Sequence, residues 1–214
     1  MISRTDSSLA PSCRKTKPGL FFCAENSEQE AAASCFLVPL KEKNEKTTVY
    51  YLAANAVIAA VYAALTVAVA PLAYGPVQFR FSEILIFLAF YNIRYIPGLI
   101  LGCFIANLFS PMMAYDIIFG TIATTIAVFG IHYAGKLIKN EAAGLFTGAG
   151  IGAIVNGLLV GWELKIAFNE PFWFSVLTVA AGELAVLVVG AVLFLQLGKS
   201  RKARAVLEGK HLKA

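Results

Sequence analysis

Charge is what this chain has least of. Asp, Glu, Lys and Arg make up 14% of its 214 residues, against about 25% in an ordinary soluble domain. Apolar residues fill the gap, at 58% of the chain, where soluble proteins carry about 45–50%. The mean hydropathy is +0.71. A water-soluble fold of this composition would lack the charge to cover its surface, so the excess apolar area calls for a lipid solvent.

Chemistry-bearing residues are equally sparse. The two histidines, His132 and His211, stand far apart in the chain, and neither has the neighbours of a metal site or a catalytic dyad. Of the four cysteines, Cys13, Cys23 and Cys35 fall at spacings that match no zinc pattern. Cys103 reads as a small apolar filler. No Ser/His/Asp arrangement can be assembled, so an enzyme is not expected. Gly198-Lys199-Ser200 resembles the end of a phosphate-binding loop, but Leu193 stands where that loop needs its first glycine. ATP binding by this route is excluded. The glycines of the Gly148–Ala153 stretch follow no strand, and Gly144, Gly148 and Gly152 read instead as a helix-packing face.

The first 46 residues also lack the apolar run of about 7–15 residues that a secretory signal needs. Residues 1–46 therefore read as a disordered cytoplasmic tail. Residues 47–198 form the membrane domain, and residues 199–214 form a basic cytoplasmic tail.

A membrane helix takes about 20 mainly apolar residues. Tyr50–Tyr74, Tyr115–Ala134, Ala143–Gly161 and Phe174–Leu197 meet that length. Pro76–Ser110 is broken at Asn92-Ile93-Arg94 into two halves, each short for a full span. Short paired helices often mark a polar cavity. The expected fold is all-α: a polytopic six-helix transmembrane bundle in the cell membrane. With both termini cytoplasmic, Lys41, Lys43, Lys46, Arg94, Lys136, Lys139 and the basic C-terminal tail lie inside, leaving Arg80 and Lys165 outside. The net charge of +5 is then met by anionic lipid headgroups, and no nucleic-acid partner is implied.

Orientation collects the rare polar residues at one depth. Gln78, Arg80, Glu83, Asn107, Asp116, Asn156, Glu163 and Glu183 all fall in the outer half of the bundle. A carboxylate at mid-membrane costs about 2.5–3.5 kcal/mol even on lenient scales, so such groups face a cavity or a partner. Structural roles remain open for each: a first-turn acid for Asp116 and for Glu83 after an N-cap Ser82, interhelical hydrogen bonds for Asn107 and Asn156, and an Arg80 pairing for Glu183. On the first helix, Ala56, Ala60 and Ala64 repeat every four residues and would let another helix approach closely, inside the bundle or from a partner.

Several of these residues also carry a family resemblance. Ala56-Val-Ile-Ala-Ala-Val-Tyr-Ala-Ala-Leu-Thr66 followed by Gly75-Pro-Val-Gln-Phe-Arg-Phe-Ser-Glu83 resembles the queuosine precursor transporters. So do Ile96-Pro-Gly98 with Asn107, Asp116-Ile-Ile-Phe-Gly120, Asn156-Gly157 with Glu163, and Pro171-Phe-Trp173 with Gly182-Glu183. These are substrate-binding S components of energy-coupling factor importers, and the likeness runs from about Tyr50 to Leu197. It implies capture of a 7-deazaguanine-type precursor from outside. It also implies a transmembrane coupling subunit, two ATPase subunits that supply the ATP chemistry, and no cofactor in this chain. Glu83 and Glu183 would be direct ligands, with Asn107 and Gln78 as secondary contacts. Arg80 would orient a carboxylate or close the site, and Tyr74, Phe79, Trp162 or Trp173 would stack on the base. Ala56, Ala60 and Ala64 would become the docking face for the coupling subunit. An S component for another vitamin-like solute, and a membrane-embedded enzyme or scaffold, are the alternatives.

Overall fold

The computed structural model describes residues 39–74 and 78–209, with residues 39–46 described by their backbone alone. Cys13, Cys23, Cys35 and His211 lie outside the described residues, as does most of the expected tail. Among the described residues every regular element is helical.

Helix α1 runs Pro39–Ala68 and is followed by one turn, Ala70–Ala73. It begins eleven residues before the expected span, inside the polar segment. Helix α2, Phe81–Tyr91, starts as a 3-10 helix over Phe81–Phe87 and relaxes to α over Leu88–Tyr91. Helix α3 covers Ile93–Asn107, opening with a 3-10 turn that Asn92 caps by accepting the Arg94 N–H at 3.0 Å. Then come α4 (Met113–Leu137), α5 (Glu141–Phe168), α6 (Phe172–Lys199) and a short α7 (Arg201–Leu207).

Their boundaries follow from local chemistry. Asn140 caps α5 by accepting N–H groups from Ala142 and Ala143 at 3.0 and 3.3 Å. Asn169 ends α5 in the left-handed conformation, and Pro171 sets the start of α6. Four helices are long and apolar enough to cross a membrane: Thr47–Ala68 within α1, and α4, α5 and α6. Helices α2 and α3 are apolar but shorter. Eleven residues, seven of them 3-10, extend α2 about 20 Å, against a hydrocarbon core about 30 Å thick.

The centre of the bundle is α5, packed between α4 and α6, with α2 against α6 and α4 and α3 against α4. Phe87, Ile86, Leu99, Ile131, Leu145 and Leu187 fill the core with essentially no exposure. The Gly144/Gly148/Gly152 face is buried as expected, but it serves three neighbours: Phe90 of α2, Ile131 of α4 and Leu187 of α6. Helix α1 lies so close to α3 that a Cβ on Gly102 would fall 2.7 Å from the Tyr62 Cβ.

One end of the bundle is basic and well knitted. Tyr91 donates to Glu141 at 2.7 Å, and Arg204 of α7 reaches Glu141 at 3.3 Å and Glu208 at 2.8 Å. Arg94 stacks over the Tyr51 ring at 4.7 Å. The groove lined by Phe90, Tyr91, Ile138, Lys139, Glu141 and Arg204 opens at this end.

Candidate ligand site at the acidic end

The opposite end is built differently. Here α1 finishes, α2 begins, α3 finishes, α4 begins and α5 finishes, so each contributes a polar side chain near a terminus. Helix α6 adds Glu183 from its twelfth position. Gln78, Arg80, Glu83, Asn107, Asp116, Asn156, Glu163 and Glu183 are all buried.

Glu83 owes its inward direction to the 3-10 stretch. In that geometry residues three apart eclipse, so Glu83 shares one line with Ile86 and both have zero exposure. Its Oε1 accepts from the Tyr62 hydroxyl and, at 3.1 Å, from Thr124 Oγ1, while Oε2 has no partner. Ser82 is not the N-cap that the sequence suggested. Its hydroxyl accepts from Thr66 at 2.6 Å, which pins the start of α2 to α1.

Arg80 precedes α2 and is 2% exposed, rather than lying in an open outer connector. Its Nη2 donates to Asn107 Oδ1 at 2.8 Å and lies 3.9 Å from Asp116 Oδ1, and its guanidinium sits over the Tyr74 ring at 5.5 Å. The Arg80 pairing left open as an alternative for Glu183 is made by Asp116. Asn107 in turn donates to the Asp116 carbonyl at 2.8 Å, so both ends of its amide are engaged. Asp116 stands in the first turn of α4 and accepts from the Ser110 hydroxyl.

Glu183 accepts from Asn156 Nδ2 at 2.7 Å, which ties α6 to α5. Glu163 lies inside α5, which continues to Phe168, and not beyond a helix end as the apolar run implied. Neither of its carboxyl oxygens meets a protein N–H or hydroxyl donor, and its carboxyl stands against that of Asp116. Among the described residues seven buried side-chain atoms lack a partner, and six belong to this cluster: Arg80 Nε, Glu83 Oε2, Asn156 Oδ1, both oxygens of Glu163, and Glu183 Oε2. The seventh is Nε2 of His132, whose other ring nitrogen meets the Ala89 carbonyl at 2.9 Å. An unpartnered buried polar group costs about 1–3 kcal/mol, more when charged. Five acceptors and one donor gathered in one place therefore leave buried hydrogen-bonding capacity unused at this end.

The cluster does not take in the two tryptophans. Trp162 is 55% exposed and Trp173 is 70% exposed, both on the outside of the bundle. The reason lies in how α5 meets α6. Gly157 and Gly161 pack against Ala180 and Val176, so Trp162, one residue and about 100° further on, turns away. Of the aromatic residues expected to stack, Tyr74 does lie beside the polar set, and Tyr62 joins it there.

Tyr62, Thr124 and Ser110 were not singled out from the sequence. For Tyr62 a signal existed: Tyr62 and Thr66 form an i, i+4 polar pair on the face of α1 opposite the alanine stripe. Cys103 is more than a filler, with its sulfur 3.2 Å from Thr124 Oγ1 and 3.5 Å from Asn107 Nδ2.

The stripe itself is resolved by exposure. Ala56, Ala60 and Ala64 face outward, whereas Ala59, Tyr62, Ala63 and Thr66 face the bundle. The close helix approach that small residues permit is therefore taken up internally by Ala59.

Comparison with known proteins adds a family to this geometry. The family model described as "QueT transporter" matches residues 52–199. The chain is also similar to the "Queuosine precursor transporter QueT" of Lactococcus lactis subsp. cremoris (strain MG1363). The two are 32% identical over 166 residues, covering 72% of this chain and 96% of that protein. No solved structure matches.

Proposed function

Because this chain belongs to the QueT transporter family, we propose that it is the substrate-binding subunit of an energy-coupling factor importer that captures a 7-deazaguanine-type queuosine precursor. Its relatives are transporters and not enzymes. Multi-pass membrane insertion follows from the apolar helices.

The observation that carries the ligand assignment is the set of buried, unpartnered atoms at the acidic end. A guanine-like base presents N–H donors on its Watson–Crick edge beside one carbonyl acceptor. Glu83 Oε2, and Glu183 Oε2 with Asn156 Oδ1, offer the complementary acceptors, and Arg80 Nε offers a donor for the carbonyl. Asn107 and Asp116 hold Arg80 in place and are supports more than ligands.

In this reading α1 to α6 form six membrane helices with both termini in the cytoplasm. Supporting it, the basic residues Arg94, Lys136, Lys139, Lys199 and Arg201 fall at the end away from the acidic cluster. That asymmetry directs the cluster outward. The exposed Ala56/Ala60/Ala64 stripe is the docking face for a coupling subunit, and two partner ATPases supply the ATP chemistry.

Equilibrium binding to the purified protein tests the assignment. Deazaguanines should bind with affinities at least about a hundredfold above those of riboflavin or thiamine, as two matched charged hydrogen bonds would give. Retention of one of those vitamins with no affinity for any deazaguanine would replace the ligand assignment.

A further inference from the structure

The groove at the basic end has no part in the ligand reading given above. It encloses about 220 Å³ where α2 and α4 finish and α5 begins, with α7 along one side. Packing fixes its floor. Phe90 lies edge-on to Tyr91, with 5.2 Å between ring centroids. It is wedged between α4 and α5 so tightly that a Cβ on Gly135 or Gly144 would fall 3.0 or 2.9 Å from its ring.

Both signs of charge line this floor. Arg204 is held by Glu141 and Glu208, and Glu141 also accepts from the Tyr91 hydroxyl. Lys139, exposed in the α4–α5 connector, has no ion pair among the described residues. The groove thus carries two cations, two anions and no net charge. A purely anionic guest would meet Lys139 but also two carboxylates, and a purely cationic one would meet Lys139 and Arg204. A zwitterion complements both.

The depth of the groove points to the source of that zwitterion. The apolar span of α4 ends at Leu137 and that of α5 begins at Glu141, so the groove lies where hydrocarbon gives way to headgroups. One turn apart on α4, Tyr133 and Leu137 are 57% and 80% exposed and give acyl chains an apolar track beside it. We propose that this groove binds the headgroup of phosphatidylethanolamine, with the phosphate on Lys139 and the ammonium on Glu141 and Glu208. That ammonium brings three N–H donors to carboxylates that can accept more bonds than Arg204 and Tyr91 supply. A choline group has no N–H to give, so phosphatidylcholine keeps only the phosphate contact. Phosphatidylglycerol brings the anion alone.

Native mass spectrometry of the full-length protein, exchanged into an equimolar mixture of these three lipids with identical acyl chains, tests the site. Phosphatidylethanolamine should be retained at least about tenfold over either competitor, the effect of one charge-assisted hydrogen bond. Lys139→Ala should weaken phosphatidylethanolamine and phosphatidylcholine alike, by about fivefold, and keep the preference between them. Glu141→Gln should remove that preference by weakening phosphatidylethanolamine alone. Glu208→Gln, used should Glu141→Gln not fold, is expected to act in the same direction. Equal retention of phosphatidylethanolamine and phosphatidylcholine by wild type overturns the inference, as does a preference for phosphatidylglycerol. A folded Glu141→Gln protein with the full preference overturns it too. Phosphoethanolamine without acyl chains should not displace the lipid at equal concentration. Displacement would assign the groove to a soluble phosphate ester and overturn the lipid assignment.

Discussion

Asn107 shows how one polar side chain can organise the proposed ligand site from behind, with both ends of its amide engaged by protein. Its carbonyl holds Arg80 and its amide holds the Asp116 backbone, so it fixes the end of α3, the approach to α2 and the start of α4 together. Gly120 makes room for it. A Cβ there would fall 2.8 Å from Asn107 Nδ2 and 3.5 Å from Arg80 Nη1. Gly120→Ala therefore sets two effects against each other. Alanine favours helix α4 by about 1 kcal/mol, while crowding a packed site costs about 1–3 kcal/mol. Since the crowding falls on Arg80 and Asn107, ligand affinity should drop about tenfold while the melting temperature changes little. Paired titrations and thermal melts of wild type and variant check this. A variant with undiminished affinity would show that the Arg80–Asn107 contact is dispensable.

At the scale of elements, α1 has one face packed into the bundle and one left exposed, the face proposed for docking. Tyr62 and Thr66 reach inward to Glu83 and Ser82, and Ala59 admits α3 at close range. The outward face presents Ala56, Ala60 and Ala64 among exposed Val57, Val61 and Leu65. Of the four candidate spans this helix has the smallest buried share, 22% against 44–50% for the others. It is therefore the most available for a partner. Ala60→Leu adds bulk only to that outer face. Ligand binding by the isolated subunit should stay at the wild-type level. Uptake by the reconstituted importer should fall at least about tenfold, the scale of overpacking one close interface. Vesicle uptake measured beside binding separates the two effects, and full uptake by the variant would remove this stripe from the docking face.

At the scale of the whole molecule, the bundle divides into a knitted basic end and an acidic end with buried acceptors left open. Much of this was legible beforehand, because lipid imposes simple rules on composition. Long apolar runs marked the helices now seen as α1, α4, α5 and α6, but α1 starts well inside the polar segment and α5 runs on to Phe168, where Asn169 caps it. The break at Asn92 separated α2 from α3, and depth counting brought the buried polar set together. What escaped depends on how helices rotate and meet. The 3-10 geometry of α2 is not encoded in the composition of Phe81–Phe87, which reads like any apolar span. Trp162 and Trp173 seemed apt for stacking, but glycine-to-valine packing between α5 and α6 turns the face away. Tyr62 looked like one more aromatic residue in a membrane helix until Glu83 was found against its hydroxyl.

The claim on which the rest depends is that Glu83 and Glu183 meet the ligand from two helices. Calorimetric titration of 7-aminomethyl-7-deazaguanine into wild type and the Glu83→Gln/Glu183→Gln double variant measures it directly. Two charged hydrogen bonds at about 1.5–3 kcal/mol each predict a loss of at least about a hundredfold in affinity. A folded double variant that binds as tightly as wild type would contradict the account.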